Sequence, residues 1–357
     1  MKYFQLLIFP LFLCSSMQPA PSPPAQELVW APKPDVLLRR EMVTKHTLSA
    51  KSQVSEANGE RVVSQRLFDL DSTQYLTVTD RVFERADGRP TKMNRMFNEC
   101  RFEANTETSA GGLTTKDGAI IGDSGFVGRS VMFTWVPEDK EYGRYYDKKN
   151  GIEELLPGLS VSMSMRELMP KDPVKLGSSW DMAPGVLAGV FNSGGDTDME
   201  LGNGVKAPLY RIMRLGTGLS ISNLFGEKEE GTVKATWIGT EESSAGRMLA
   251  LLKLDFDVTL ERDMRDRADG SLMLKSRLAG IRIESALVQL KLQGSGTVRW
   301  DLEGAHLHDV QDFRADEEVS TKLVQYVDGP DGKVHSSQEL VMFGWLEHKV
   351  SVLEEQP

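Results

Sequence analysis

His306-Leu307-His308 sets two imidazoles one residue apart, so an extended strand would project both from one face, a spacing that zinc sites use. Asp309 and Asp312 follow within a few residues. A zinc site needs a third or fourth ligand from elsewhere in the chain, so His306 and His308 stand either as metal ligands or as histidines that line a strand. The same His/Asp cluster is where hydrolytic chemistry would be sought.

Other motifs stop short of their chemistry. Gly122-Asp123-Ser124-Gly125 copies the start of the nucleophile motif of trypsin-like serine proteases, but Phe126-Val127 replaces the Gly-Pro that follows there. His46 is the only upstream histidine, and it lies on a strand-like run without the Ala-Ala-His-Cys box. A glycine-rich turn is the better account. Gly202-Asn203-Gly204-Val205-Lys206-Ala207 fits a dinucleotide pattern, yet Pro208 follows where a helix must continue. Asp196-Thr197-Asp198-Met199-Glu200 offers alternating carboxylates out of register with an EF-hand loop, and reads as a solvated acidic loop. Phosphate-loop and metalloprotease motifs are missing, and no cofactor is expected.

The elements that must carry these residues are strands. Arg61 to Leu70, Gln74 to Glu84 and Arg95 to Ala104 alternate, with turn signals at Ala57-Asn58-Gly59, Leu70-Asp71-Ser72 and Ala86 to Pro90; an earlier strand starts near Val36 and runs through Leu48. Pro137 to Lys149 and Gly151 to Pro157 read as helical pieces, followed by a proline-punctuated crossover from Leu168 to Trp180. Strand signals then resume: Ala235 to Thr240, Met248 to Leu260, Leu272 to Leu278, Ala286 to Leu292, Gly296 to Leu302, His306 to Arg314, Ser320 to Val327 and Ser336 to Trp345. Strands about ten residues apart with few amphipathic helices predict a mainly β fold, antiparallel meanders forming curved sheets or a barrel-like body with a few short connecting helices. The division expected is a β meander over 35–135, a helical and proline-rich connection over 136–180 and a β-rich region over 181–357.

The first 16 residues read as a signal peptide: Met1-Lys2, an apolar run through Leu13, then Cys14-Ser15-Ser16. The run is shorter than the roughly 20 residues of a spanning helix. Cys14 offers an alternative, since Leu11-Phe12-Leu13-Cys14 has the placement of a bacterial lipid-attachment box, although Phe12 and Leu13 are bulkier than that box prefers. Residues 17–34 hold Pro19, Pro21, Pro23, Pro24, Pro32 and Pro34 and are expected to form a tether.

About 320 residues remain, with 26% charged and 40% hydrophobic residues, a folded composition. A net charge of −10 without a basic stripe argues against nucleic acid as a partner. With Cys14 removed or lipidated, Cys100 has no disulfide partner and reads as a small buried residue on a strand. The methionines, including Met163, Met165 and Met169, and Tyr142, Tyr145 and Tyr146 fill a core or line an apolar cavity.

Leu168-Met169-Pro170-Lys171-Asp172-Pro173-Val174-Lys175-Leu176-Gly177-Ser178-Ser179-Trp180, with Gly296-Thr297-Val298-Arg299-Trp300-Asp301-Leu302-Glu303-Gly304, resembles exported bacterial β-rich proteins and lipoproteins of unknown function. In those, a Pro-x-x-Pro-Val-x-x-Gly-x-x-Trp stretch leads into the second half. The resemblance carries a fold type and no activity. The expectation is a non-enzymatic exported envelope protein, a binding or carrier module for an apolar ligand, an envelope component or a partner protein, with a membrane tether if Cys14 is lipidated. An envelope hydrolase near His306 and a purely structural assembly protein are the alternatives.

Overall fold

The computed structural model describes residues 25–64, 67–110, 113–116, 119–148, 151–161, 163–191, 194–195, 197, 199–201, 224–263, 281–329 and 332–355. Cys14, the Gly202–Ala207 motif and the strand expected over Leu272–Leu278 lie outside them, as do Asp196 and Asp198.

The first half contributes β1 (Leu37–Ala57), β2 (Glu60–Val63), β3 (Leu67–Ala86), β4 (Arg89–Ala110), β5 (Leu113–Lys116), β6 (Ile120–Ser124), β7 (Ser130–Val136) and β8 (Glu141–Tyr146). A connection follows, with 3-10 turns at Glu153–Gly158, Arg166–Leu168 and Pro184–Leu187, strands β9 (Ser179–Met182) and β10 (Met199–Leu201), and the one-turn helix α1 (Ala188–Phe191). The second half is β11 (Lys228–Glu242), β12 (Met248–Asp263), β13 (Ile281–Asp301), β14 (His306–Gly329) and β15 (Gly332–Glu355). All these strands join one sheet, in the order β10-β6-β4-β3-β1-β15-β14-β13-β12-β11-β9, with β2, β5, β7 and β8 attached at its sides. Every pairing is antiparallel. The edges β9 and β10 do not meet, so the sheet is open and mainly β as expected. β1 pairs with β15 from Leu37 opposite Glu355 to Ala57 opposite Ser336, which seams the two halves through the middle of the sheet.

The turns read from sequence act where left-handed backbone is required. Asn58-Gly59 (φ 51° and 82°) closes β1 onto β2, and Asp87-Gly88 (φ 51° and 67°) closes β3 onto β4; both two-residue pairs suit a tight hairpin. Elsewhere the strands run much longer than expected. Leu70-Asp71-Ser72 is no turn but the interior of β3, where Asp71 stands opposite Thr47 and accepts its hydroxyl at 2.7 Å. Ala286 to Leu292 and Gly296 to Leu302 are one strand, as are His306 to Arg314 and Ser320 to Val327. Bulges, such as those between Ser295 and Thr297 and between Val310 and Phe313, bend these strands without ending them.

The helix expected over Pro137–Lys149 is replaced by the β7–β8 hairpin. Trp135 and Tyr142 stand directly opposite and meet edge to face at 5.1 Å, Arg89 lies over Trp135, and the Tyr142 hydroxyl donates to Pro90 O at 2.6 Å. Aromatic cross-strand pairing outweighs the charged, helix-like composition. The tether is corrected as well. Of residues 17–34, the described part is docked: Gln26 bridges Val174, Leu28 and Trp30 are buried, Ala31 N–H donates to Ala305 O, and Trp300 Nε1 donates to Val29 O. Two aromatic or aliphatic anchors hold the segment despite its prolines.

One continuous cluster of buried side chains runs from Phe97 on β4 to Trp237 on β11. Eleven strands span about 50 Å if flat, so a sheet sharing one core must curl. Glycines permit that curl. A Cβ at Gly231, Gly294 or Gly344 would strike the backbone of the next strand at 2.1, 2.2 or 1.7 Å, the close approach that only glycine tolerates at a sheet bend. The concave face is covered by the connection: Leu156, Leu159, Met163, Met165, Leu168, Leu187 and Val190 belong to the core, and Phe191 packs edge-on against Phe256 of β12 and Phe313 of β14. No helix among the described residues is long and apolar enough to cross a membrane.

Candidate functional site

The concave face is apolar by alternation, and polar residues interrupt it at a few positions. On β1 the inward residues are Leu38, Arg40, Met42, Thr44, His46, Leu48 and Ala50. Asp80 lies between Val78 and Val82 on β3, Arg95 between Met93 and Phe97 on β4, Glu317 between Ala315 and Val319 on β14, and His348 between Leu346 and Val350 on β15. All are buried.

Asp80 stands directly opposite Arg95 and diagonal to Arg40. Arg95 grips it with two bonds, Nε to Oδ1 at 2.7 Å and Nη2 to Oδ2 at 3.0 Å, and Arg40 Nη1 donates to the same Oδ2. The rest of the Arg95 guanidinium reaches the cover, donating to Ser160 O at 2.7 Å and Val161 O at 3.3 Å. Arg40 is poorer in partners: its Nε is buried without one. Burial weighs against the Arg40 cation, Asp80 favours it and Arg95 opposes it, so its pKa lies below the usual arginine value.

A second polar cluster lies farther along the face. His46 Nδ1 is 3.1 Å from Glu317 Oε2, although β15 runs between their strands. Gly344 makes this reach available, since it stands opposite both Leu48 and Glu317 and presents no side chain between them. The His348 ring is bonded through Nδ1 to Thr44 Oγ1 at 2.9 Å and packs against Phe313 and Phe191. Burial, with His46 nearby, pushes its pKa down to about 4, so it is neutral at pH 7. Glu317 Oε1 and His348 Nε2 have no hydrogen-bond partner among the described residues.

The histidines singled out from sequence are placed differently. Across the bulge between Arg299 and Trp300, Asp309 pairs with Arg299 and Leu307 with Trp300, which makes His308 the extra residue. His306 is buried and bonds Leu307 O through Nδ1 and Glu354 Oε1 through Nε2 at 2.9 Å. With Asp301 and Glu354 it forms a group of ligand-type atoms within 4.8 Å of one another, of which His308 is not a member. An arginine already occupies that group: Arg247 donates to Asp301 Oδ2 at 2.8 Å and Glu354 Oε2 at 2.6 Å. Arg247 above all holds the Glu354 carboxyl below its usual range. Burial works to raise Asp301, but the Gly304 N–H and Arg247 outweigh it and its pKa is lowered. Asp309 is bound to Arg299, which also reaches Glu241, while Asp312 is exposed. This cluster is an ion-pair lattice between turns and strand ends, with His308 3.8 Å from Asp309 at its margin.

Ser124 of the protease-like motif is buried, donates to Thr197 O and accepts from Phe126 N–H, as a turn residue does. Cys100 is fully buried, and desolvation raises its thiol to about 11, far from the reactive thiolate range. Met163 and Met165 are core, Tyr146 is buried with its hydroxyl on Ile152 O, and Tyr145 is exposed.

No protein-family model and no curated protein matches the chain. Among solved structures it is similar to an outer membrane channel from Pseudomonas putida F1 (9% identity, 91% of this chain and 97% of that one, TM-score 0.22). It is also similar to the outer membrane protein OprG from Pseudomonas aeruginosa (9% identity, 90% and 98%, TM-score 0.19). Scores of this size carry no argument about fold or function.

Proposed function

We propose that this chain is a non-enzymatic exported protein of the cell envelope, a carrier or binding module whose curled sheet receives an apolar ligand on its concave face. The observation that carries the reading is how that face is closed. A wide apolar surface is covered by the described residues of 151–178 and 184–191, built of 3-10 turns and a one-turn helix, rather than by a second sheet. Such a cover has little regular backbone bonding of its own and belongs to the part of a protein that opens at low free energy. Among the described residues it is fastened to the sheet and its hairpins by side-chain bonds that include Arg95 to Ser160 O and Val161 O, Arg144 to Leu159 O, Arg166 to Gly88 O, Tyr146 to Ile152 O and, beyond Phe191, Ser124 to Thr197 O. The export leader read over residues 1–16 supports the compartment, and lipid on Cys14 would tether the molecule to a membrane. A hydrolase near His306 has less support, because Asp301, Asp309 and Glu354 are each engaged by an arginine.

Native mass spectrometry of protein purified from its own envelope, paired with hydrogen exchange, tests the proposal. Co-purified apolar small molecules and fast exchange in residues 151–178 and 184–191 are expected. Protein that carries nothing and a cover as protected as β13 and β14 would overturn it. The same spectrum reports whether the mature chain begins with a lipid on Cys14.

A further inference from the structure

Two guanidinium groups and one carboxylate meet on the concave face, where Arg40, Arg95 and Asp80 have side chains no more than 3% exposed. The carboxylate bonded to Arg40 is Asp80, which Arg95 also grips. The next carboxylate along β15, Glu354, is held by Arg247 and His306. Among the described residues the trio carries one positive charge beyond neutrality, inside an apolar surround of Leu38, Met42, Val78 and Val352. A buried lysine or histidine would relieve this by losing its proton. Arginine does not deprotonate in proteins, so a counter-anion is what remains.

The two arginines are not equivalent. Arg95 is committed, through its bidentate grip on Asp80 and its bonds to Ser160 O and Val161 O. Arg40 makes one bond to Asp80 and leaves its Nε–H buried and unpaired. We infer that Arg40 is the head-group residue of an interior ligand site, taking through its Nε edge the carboxylate or phosphate of an amphipathic anion whose apolar part lies along the concave face. This rests on the carrier reading and names the ligand class for it. The shared chemistry is an anionic oxygen on a long apolar tail. The oxygen accepts the charge-assisted bond that Arg40 lacks, and the tail replaces part of the cover.

The test is titration calorimetry on delipidated mature protein with oleate, methyl oleate, hexadecyl phosphate and inorganic phosphate. Wild type is compared with Arg40→Met and Arg40→Lys, each confirmed as folded by circular dichroism. Oleate or hexadecyl phosphate should bind about 10-fold to 100-fold more tightly than methyl oleate, the range of one buried charge-assisted bond; whichever binds more tightly identifies the head group. Arg40→Met should reduce that ratio to about 1 while methyl oleate still binds, and Arg40→Lys should keep part of the preference. Equal affinity for oleate, hexadecyl phosphate and methyl oleate in wild type, or an unchanged ratio in Arg40→Met, would overturn the role of Arg40 and leave the carrier reading standing. Binding of inorganic phosphate as tight as hexadecyl phosphate would overturn the amphiphile. If none of the three tailed probes binds, the carrier reading itself fails.

Discussion

Removing the two buried arginines should have opposite effects on stability. Arg95→Met takes two bonds from Asp80, leaving the carboxylate with Arg40 Nη1, and removes the Arg95 donors from Ser160 O and Val161 O at the edge of the cover. Breaking one partner of a buried ion pair costs about 3 to 5 kcal/mol, and each carbonyl hydrogen bond lost adds about 1 kcal/mol. A loss of about 5 kcal/mol is expected. Arg40→Met removes one bond and an uncompensated buried charge, and leaves Asp80 and Arg95 as a balanced pair under an apolar side chain of similar length. Its expected change is within about 1 kcal/mol of zero, on the stabilising side, because apolar replacement of a poorly compensated buried ion is neutral or favourable. The assay is urea unfolding of delipidated protein, followed by tryptophan fluorescence and circular dichroism, with m held common when the two probes coincide. Equal destabilisation by the two substitutions, or a loss above about 2 kcal/mol for Arg40→Met, would refute the unequal commitment of the two arginines on which the reasoning stands.

Acid should weaken the fold through His348. Its pKa falls from 6.5 unfolded to about 4 folded, so the unfolded chain takes up a proton first; stability is full above about pH 6.5 and declines towards pH 4. At 1.36 kcal/mol per pH unit this amounts to about 3 kcal/mol. His348→Phe should flatten that slope against wild type, and parallel curves would reject the assignment. Gly344→Ala should cost about 3 kcal/mol or prevent folding, because its Cβ would lie 1.7 Å from Thr47 O. Gly239→Ala, whose Cβ meets only Leu251 at 3.5 Å, is the control and should stay within about 1 kcal/mol in the same unfolding assay. Trp30→Ala should lose about 3 kcal/mol, since the ring is buried in the core; a loss under 1 kcal/mol would mean that residues 25–34 do not stabilise the body.

Local signals carried the fold class. Alternation marked the strands, and Asn58-Gly59 and Asp87-Gly88 marked two hairpins, because both depend on neighbours in sequence. Strand length did not emerge. Asp71 looked like a turn residue until Thr47, 24 residues away, supplied its partner, and the charged run after Pro137 looked helical until Trp135 and Tyr142 paired. The candidate site was legible only in part. Spacing selected His306 and His308, but a bulge at Arg299 and Trp300 broke the alternation on which that spacing depended. The inward polar residues were missed, although each leaves a trace: Leu38-x-Arg40-x-Met42, Val78-x-Asp80-x-Val82 and Met93-x-Arg95-x-Phe97 place a charge inside the apolar register of a strand. A solvated face carries charges on both sides of such a position, whereas here both neighbours in register are apolar.

The seam between β1 and β15 sets the order of events in folding. Leu37 and Glu355 are register partners far apart in sequence, so the middle of the sheet is completed only once β15 has joined β1. Until then the β1–β3–β4 and β11–β14 meanders can each form by local hairpin closure, but β1 stands with an open edge about 20 residues long. That edge is a template for any extended segment that reaches it first, including β1 or β15 of another copy. The chain's slow, vulnerable interval is therefore the wait of β1 for β15.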